Sequence, residues 1–249
     1  MQLALCTWPE IDAYLARSKG IIVPVGSTEQ HGPTGLIGTD TISVEMIAKR
    51  AGEAANILVA PVFPVGVAAH HMAFAGSMSL RPETFRAAIR DWAASLDRHG
   101  FRRIYFFNGH GGNIAPLNAA VKEISDELNP GRAENDRLEC KVHSWWQFES
   151  VHTLCQTLYP EGHGSHATPS EVAITQFAFP DAIKSATLEP RIAPNGRFTT
   201  AEDYRAAFPD GRIGSNPALA NPADGEKLVN AAVAGLIVDF QRFVRNGVP

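Results

Sequence analysis

The pattern of apolar and polar positions divides the chain into alternating strand-like and helix-like segments. Short apolar runs rich in β-branched or aromatic residues are typical of strands buried in a parallel sheet. Stretches with apolar residues three and four positions apart are typical of helices with one buried face. The predicted strands are residues 21–25, 57–60, 103–107 and 139–144; the predicted helices are residues 8–17, 41–51, 81–98, 115–128 and 225–244, with a further helix starting after Thr168.

This alternation predicts an α/β fold, with a mainly parallel sheet and helices on both of its faces. We expect one domain over residues 1–249. Residues 61–80 form a long connection that contains glycine but is too apolar for disorder, and loops of this length are often functional. Residues 180–221 carry many Pro, Gly and charged residues, and we expect them to form an irregular arm, with an oligomer contact as one possible role.

Composition excludes several classes of function. The net charge of −4 is mild and no basic block is present, so we expect no nucleic-acid partner. No apolar run approaches the roughly 18 residues of a membrane span, so we expect no membrane insertion. The N-terminus lacks a basic start and a cleavage site, so we expect no signal peptide. The three cysteines are scattered, which favours a reduced cytoplasm and gives no cysteine a catalytic role.

Candidate chemistry starts directly after the first predicted strand. Pro24-Val-Gly-Ser-Thr-Glu-Gln-His-Gly-Pro and Gly38-Thr-Asp40 place Glu29, His31 and Asp40 within twelve residues. Sites in open α/β sheets lie beyond the carboxyl ends of strands. Carboxylate and imidazole donors at this spacing suit a divalent cation. The alternatives are that Asp40 caps the next helix and that Glu29 and His31 lie in a solvated loop.

A glycine-rich turn follows the third predicted strand, with the sequence Asn108-Gly-His110-Gly-Gly-Asn113. Such a turn before a helix can cradle phosphate with backbone amides, which is the alternative to a metal site here. The imidazole of His110 is the unusual feature, because flanking glycines let the backbone come close to whatever it holds.

Three further groups of residues are candidates for a site. His70 and His71 are adjacent in the long connection, where one could be structural and the other could reach a substrate. Trp145 and Trp146 follow the fourth predicted strand, and aromatic residues at a strand end are more typical of core than of a ligand wall. His163 and His166 precede a helix whose start reads Thr168-Pro-Ser-Glu171, so Glu171 is either a capping residue or a ligand aimed at a cation.

Four segments together resemble the creatininase (creatinine amidohydrolase) family. They are Pro24-Val-Gly-Ser-Thr-Glu-Gln-His-Gly-Pro with Thr39-Asp40, His71-Met-Ala-Phe-Ala-Gly-Ser, Asn108-Gly-His-Gly-Gly-Asn and His166-Ala-Thr-Pro-Ser-Glu. The resemblance implies a three-layer α/β/α sandwich, a homo-hexamer and hydrolysis of the C–N bond of an amide, often a cyclic one. It also implies two divalent metal ions per chain, for which zinc, manganese and iron are all suitable.

By this resemblance Glu29 and His110 ligate one metal, His31 ligates the other and Asp40 bridges both. Creatininase completes the second site with a glutamate where this chain has Gly112, so Glu171 is implied as the replacement. His166 is implied as the acid or base near the leaving nitrogen. The residues implied for substrate binding are His71, Ser77, Gly111 and Trp146.

The sequence leaves the substrate open. The first hypothesis is a metal-dependent amidohydrolase that attacks a small amide with metal-activated water. Related enzymes suggest a formamide deformylase acting on a pyrimidine ribotide, or a hydrolase that trims peptides. A non-catalytic phosphate or nucleotide binder that uses the Asn108–Asn113 turn is the alternative from another class.

Overall fold

The computed structural model describes residues 1–245 and shows a parallel sheet between two layers of helices. The sheet has the order β1-β2-β3, with β1 at Gly20–Val25, β2 at Arg103–Asn108 and β3 at Glu139–Ser144. The helices are α1 Trp8–Leu15, α2 Thr39–Ala55, α3 Pro82–Arg98, α4 Ile114–Leu128, α5 Glu149–Leu158, α6 Pro169–Ala178, α7 Ala201–Ala207 and α8 Pro222–Arg245.

Alternating strand residues divide the core into two layers, one on each face of the sheet. Ile22, Tyr105 and Phe107 point into a cluster with α2, α5, α6 and α8. Ile21, Ile104 and their alternate neighbours point into a cluster with α1, α3 and α4. The period of two along a strand produces this division. The fold is therefore the three-layer α/β/α sandwich that the resemblance implies.

Most predicted elements are present, and the differences are informative. The segment predicted as a strand at 57–60 forms isolated parallel bridges from Val59 to Gln2 and Ile22 rather than a full strand. It still continues the sheet beside β1, because Ile22 donates to Leu58 O and Ala60 donates to Ile22 O. Helices α5 and α7 were not predicted, and α7 lies within the segment expected to be an irregular arm.

No helix among residues 1–245 is long and apolar enough to span a bilayer.

A buried tyrosine–carboxylate bond joins the sheet to α8. Tyr105 of β2 donates to Asp239 Oδ2 at 2.6 Å, and Lys141 and Arg242 also bond to this carboxylate. Tyr159 is similarly buried, but its hydroxyl has no hydrogen-bond partner among the described residues. These two tyrosines therefore differ in what their hydroxyls contribute to stability.

We expect Tyr105→Phe to lower the free energy of unfolding by about 1.5–3 kcal/mol, because it removes a hydrogen bond to a charged acceptor. Tyr159→Phe is the matched control and should leave that free energy unchanged or raise it, because the lost hydroxyl is buried and unpartnered. Urea unfolding of both variants measures the difference. An equal loss in the two proteins would contradict this account of the Tyr105 bond.

Candidate metal centre

Three loops meet above the carboxyl ends of the parallel strands. Because β1, β2 and β3 run in one direction, the residues that follow them emerge at the same edge of the sheet. This edge brings together four predicted ligands, none of them more than 5% exposed: Glu29, His31, Asp40 and His110. The solvated-loop alternative for Glu29 and His31 is therefore excluded.

Asp40 lies between the two histidines. Its Oδ1 is 3.1 Å from His31 Nε2, and its Oδ2 is 3.2 Å from His110 Nδ1. Glu29 Oε1 lies 3.1 Å from the same His110 nitrogen. Asp40 occupies the first turn of α2 but makes no capping bond, since the helix starts after Gly38 without a side-chain cap. Its carboxylate therefore faces the other predicted ligands and not the helix terminus.

Backbone carbonyls determine which ring nitrogen of His31 and of His110 carries the hydrogen, and therefore which nitrogen presents its lone pair to the carboxylates. His31 Nδ1 lies 3.2 Å from Glu29 O, and His110 Nε2 lies 3.1 Å from Val67 O. Since a carbonyl oxygen accepts, these nitrogens carry the hydrogen in the neutral imidazoles. The opposite nitrogens, His31 Nε2 and His110 Nδ1, are then free to act as ligands, as in known metal sites.

Three of the converging atoms have no hydrogen-bond partner within the described chain: Glu29 Oε1, His31 Nε2 and Asp40 Oδ2. They lie close to neighbouring polar atoms, but not in hydrogen-bond geometry. A buried polar atom without a partner is costly. Donor atoms of Glu29, His31 and Asp40 all lie within 4.8 Å of one another. Converging buried acceptors of this kind fit a divalent cation.

The buried carboxylates of Glu29 and Asp40 also favour a positive charge between them. Burial alone would lower the pKa of His31, but Asp40 beside it raises that pKa to about 10. Burial would raise the pKa of Glu29, but the His110 charge holds it well below its ordinary value. The buried Glu29 carboxylate therefore keeps its negative charge only with a cation beside it, and either a histidine proton or a metal ion provides that charge.

Two more histidines lie around Glu29. His71 Nε2 is 3.2 Å from Glu29 Oε1, and His166 Nδ1 is 4.0 Å from it. These three residues form a second group whose donor atoms lie within 4.8 Å of one another. Burial, together with His31 and His71 nearby, holds the pKa of His166 well below its ordinary value. His166 is thus a neutral imidazole beside the candidate ligands.

Glu171 both caps a helix and borders the site. Its Oε2 accepts from Thr168 N at 2.9 Å and from Thr168 Oγ1 at 2.8 Å, which forms the predicted capping box of α6. The same residue lines the cavity that contains Glu29 and Asp40. Burial raises the pKa of Glu171, and the neighbouring His31 acts in the opposite direction. Capping and facing a cation are therefore compatible for this side chain.

Gly112, where the resemblance implies a glutamate in creatininase, has no room for a side chain. A Cβ at this position would collide with the carbonyl oxygen of Val67 and with Nε2 of His110. These are the two partners of the hydrogen bond that orients His110. The backbone at 112 therefore supports a ligand and cannot provide one.

A cavity of about 570 Å³ opens in front of this cluster. His71, Gly111 and Trp146, three of the residues predicted to bind substrate, line it. Ser77 is not among the residues that line the cavity; its hydroxyl accepts from Gln30 N at 3.0 Å. Ser77 therefore bonds to the main chain of Gln30, and its contact with substrate stays a prediction.

The structure places the candidate His70 in the cavity wall and adds two aromatic residues that the sequence did not single out. His70 is half-buried in the cavity and stacks on Phe198, with ring centroids 5.3 Å apart. Burial lowers the pKa of His70 to about 4, so it is a neutral donor or acceptor. Phe198 and Tyr204 reach the cavity from the predicted arm. No motif marks these two aromatics; only their packing places them here.

Comparisons with known proteins agree with this geometry. The family profile described as creatininase, creatinine amidohydrolase, matches residues 4–239. The chain is 28% identical over 187 residues to a creatinine amidohydrolase of Pseudomonas putida, covering 71% of each protein. It is 29% identical over 236 residues to a mycofactocin precursor peptide peptidase of Mycolicibacterium smegmatis, covering 92% of this chain and 87% of the relative.

Solved creatininases share the fold. One mutant creatininase is 25% identical, with a TM-score of 0.84 and 98% of each chain covered. A manganese form of creatininase is 24% identical, with a TM-score of 0.86 and the same coverage. Since the family profile spans nearly the whole chain and these relatives align along most of it, the protein belongs to the creatininase family of amidohydrolases.

Proposed function

We propose that the protein hydrolyses a C–N bond of a small, neutral amide, including cyclic amides, with a water activated by two divalent cations per chain. The observation that carries this proposal is the convergence of Glu29, His31, Asp40 and His110 on one buried point. Zinc suits this mixture of carboxylate and imidazole donors best, and manganese or iron would also be accepted.

The two oxygens of Asp40 suggest how the ligands divide. Glu29 Oε1, Asp40 Oδ2 and His110 Nδ1 form one set of donors. Asp40 Oδ1 and His31 Nε2 begin a second set on the other side of the same carboxylate. Glu171 would complete the second set, since Gly112 cannot provide a carboxylate. Asp40 is thus the proposed bridging residue.

The cations, when bound, would polarise the amide carbonyl and lower the pKa of a water toward neutrality. His166 handles the protons in this proposal. Its Nε2 donates to Gln30 O at 2.8 Å, so its Nδ1 is an acceptor that faces Glu29 and the cavity. Nδ1 takes a proton from the attacking water and delivers it to the amide nitrogen as the C–N bond breaks.

The cavity wall favours a neutral substrate. Among the described residues that line it there is no lysine or arginine. Phosphate groups in proteins are usually bound by such side chains. This wall argues against a phosphorylated ribotide as substrate and against a phosphate or nucleotide binder.

Peptide trimming is a second candidate. A cavity of about 570 Å³ is larger than a small cyclic amide requires, and Ile114, Trp146, Phe198 and Ile213 give it apolar and aromatic walls. The relative from Mycolicibacterium smegmatis is named a peptide peptidase. A short peptide with an apolar side chain would fill this space.

The homo-hexamer and the cytoplasmic location remain predictions.

A hydrolysis screen tests the proposed function. Protein loaded with zinc, manganese or iron should open cyclic amides to amino acids or cleave short neutral peptides, each reaction forming a new amine and a new carboxylate. Elemental analysis should give two equivalents of metal per chain. A chelator should abolish turnover, and restoring the metal should recover it. Phosphorylated amides should be poor substrates. Tight nucleotide binding by metal-free protein, without any hydrolysis, would instead support the non-catalytic alternative.

Asp40→Asn tests the bridging role. We expect this variant to bind fewer than two cations and to lose at least about 100-fold in kcat/KM, because the loss of a supporting residue alone costs roughly 10–100-fold. Asp239→Asn removes another buried carboxylate, one that bonds Tyr105 and Lys141 and does not line the cavity. This control should lose stability but keep its metal. Full metal content and normal turnover in Asp40→Asn would rule out bridging by Asp40.

Substitutions at Gly111 test how large a substrate the cavity accepts. A Cβ at this position would meet nothing within 4 Å, so a larger side chain would grow into open cavity. Gly111→Leu should reduce kcat/KM for the bulkiest accepted amide by about tenfold or more, while the smallest amide changes little. Gly111→Ala should affect neither strongly. Equal losses for both substrates in Gly111→Leu would show that Gly111 does not face the substrate.

A further inference from the structure

Gln30 lies between two candidate ligands, Glu29 and His31, yet its side chain turns away from the cation site. It is 5% exposed. Its Oε1 accepts from Gly32 N at 2.8 Å, while its Nε2 lies 3.0 Å from Gly211 O, 3.0 Å from His71 Nδ1 and 2.9 Å from His166 Nε2. The amide orientation is therefore fixed, because exchanging Oε1 and Nε2 would set donor against donor and acceptor against acceptor.

This amide determines which nitrogen of His71 carries its proton. His166 Nε2 carries a hydrogen, because its 2.8 Å partner, the carbonyl oxygen of Gln30, can only accept. The two hydrogens of the Gln30 amide therefore go to Gly211 O and His71 Nδ1, so His71 Nδ1 is an acceptor and the imidazole hydrogen is on Nε2. This nitrogen lies 3.2 Å from Glu29 Oε1. The main chain of the same residue orients the other histidine, because His166 Nε2 donates to Gln30 O and leaves Nδ1 toward the cavity.

The arm holds the amide in place. Gly211 has a φ of +84°, and a Cβ there would collide with the Gln30 side chain, so the close approach requires glycine. Its neighbour Arg212 is fully buried and bonds to the carbonyls of Pro190, Arg191 and Ser215 and to the carboxylate of Asp210. The carbonyl of Gly211, which accepts the hydrogen bond from Gln30 Nε2, therefore belongs to a firmly anchored segment.

We propose that Gln30 is a positioning residue through which the arm sets the proton-bearing nitrogen and the orientation of His71 beside Glu29. This proposal rests on the proposed function for its kinetic consequence, but its structural consequence is independent of turnover. Gly211 of the arm thereby influences the reaction through Gln30 without touching the reacting atoms.

Histidine tautomers provide the test. In zinc-loaded protein with ¹⁵N-labelled histidine, two-dimensional NMR reports which nitrogen of His71 is protonated, and His71→Asn assigns the signal by its loss. Wild type should show the hydrogen on Nε2. Gln30→Glu keeps an acceptor for Gly32 N but loses both amide donors, so its carboxylate should shift the hydrogen of His71 to Nδ1. We expect kcat to fall by about 10–100-fold, with KM and metal content little changed.

Thr200→Ala is the matched control for stability. Thr200 caps α7 in the same arm, with its hydroxyl accepting from Asp203 N at 3.1 Å, and losing a cap costs about 1 kcal/mol. It should lower stability without moving the His71 tautomer or kcat. Gln30→Met, which has no amide donor, serves where Gln30→Glu does not fold, and should abolish the preference for Nε2–H.

An unchanged His71 tautomer in the Gln30 variants would overturn the proposal, as would the same shift in Thr200→Ala. The NMR result is obtained without substrate, so it decides the role of Gln30 even where wild-type protein turns over none of the amides screened. A wild type without hydrolysis would contradict the proposed function alone.

Discussion

Two carboxylates buried side by side set the main constraint on this structure. Glu29 and Asp40 are essentially inaccessible to water and both face His110. Buried negative charges are strongly unfavourable unless a cation lies beside them. The surrounding histidines can provide that cation as protons, but the unpartnered lone pairs between the carboxylates offer better coordination to a metal ion. The loops above the sheet can be understood as a way of holding these charges together.

The parallel sheet brings the charged residues of separate chain segments together. β1 and β2 are buried on both faces, and their carboxyl ends bring the ligand loops to one edge of the sheet. The long connection after residue 60 then crosses that edge. It contributes the Val67 carbonyl that orients His110, and it places His71 against Glu29. The connection is thus structural where it holds ligands and exposed to the cavity where His70 lies.

The sequence predicted these layers and ligands because both leave local signals. Apolar runs and helical periodicity are visible in single segments, and Glu29, His31 and His110 stand out as polar residues in glycine-flanked loops. The contribution of the arm could not be predicted in the same way. Tyr204 and Gly211 both contact Gln30, which is more than 170 residues earlier in the chain, and Tyr204 also lines the cavity. Such contacts depend on tertiary packing, which periodicity does not report.

The backbone contact between Val67 and Gly112 affects which residue can act as a ligand elsewhere in the site. The carbonyl of Val67 lies so close to this position that no side chain fits, and the same carbonyl fixes the ligand nitrogen of His110. A carboxylate at 112 would therefore require a different path for the connection and a different partner for His110. The remaining carboxylate that borders both the cavity and His31 is that of Glu171, already anchored by its cap on α6. Anchoring by the helix terminus limits where its oxygens can lie, which is what a rigid ligand set needs. The capping box thus fixes Glu171 as the proposed carboxylate ligand, because glycine at position 112 cannot provide one.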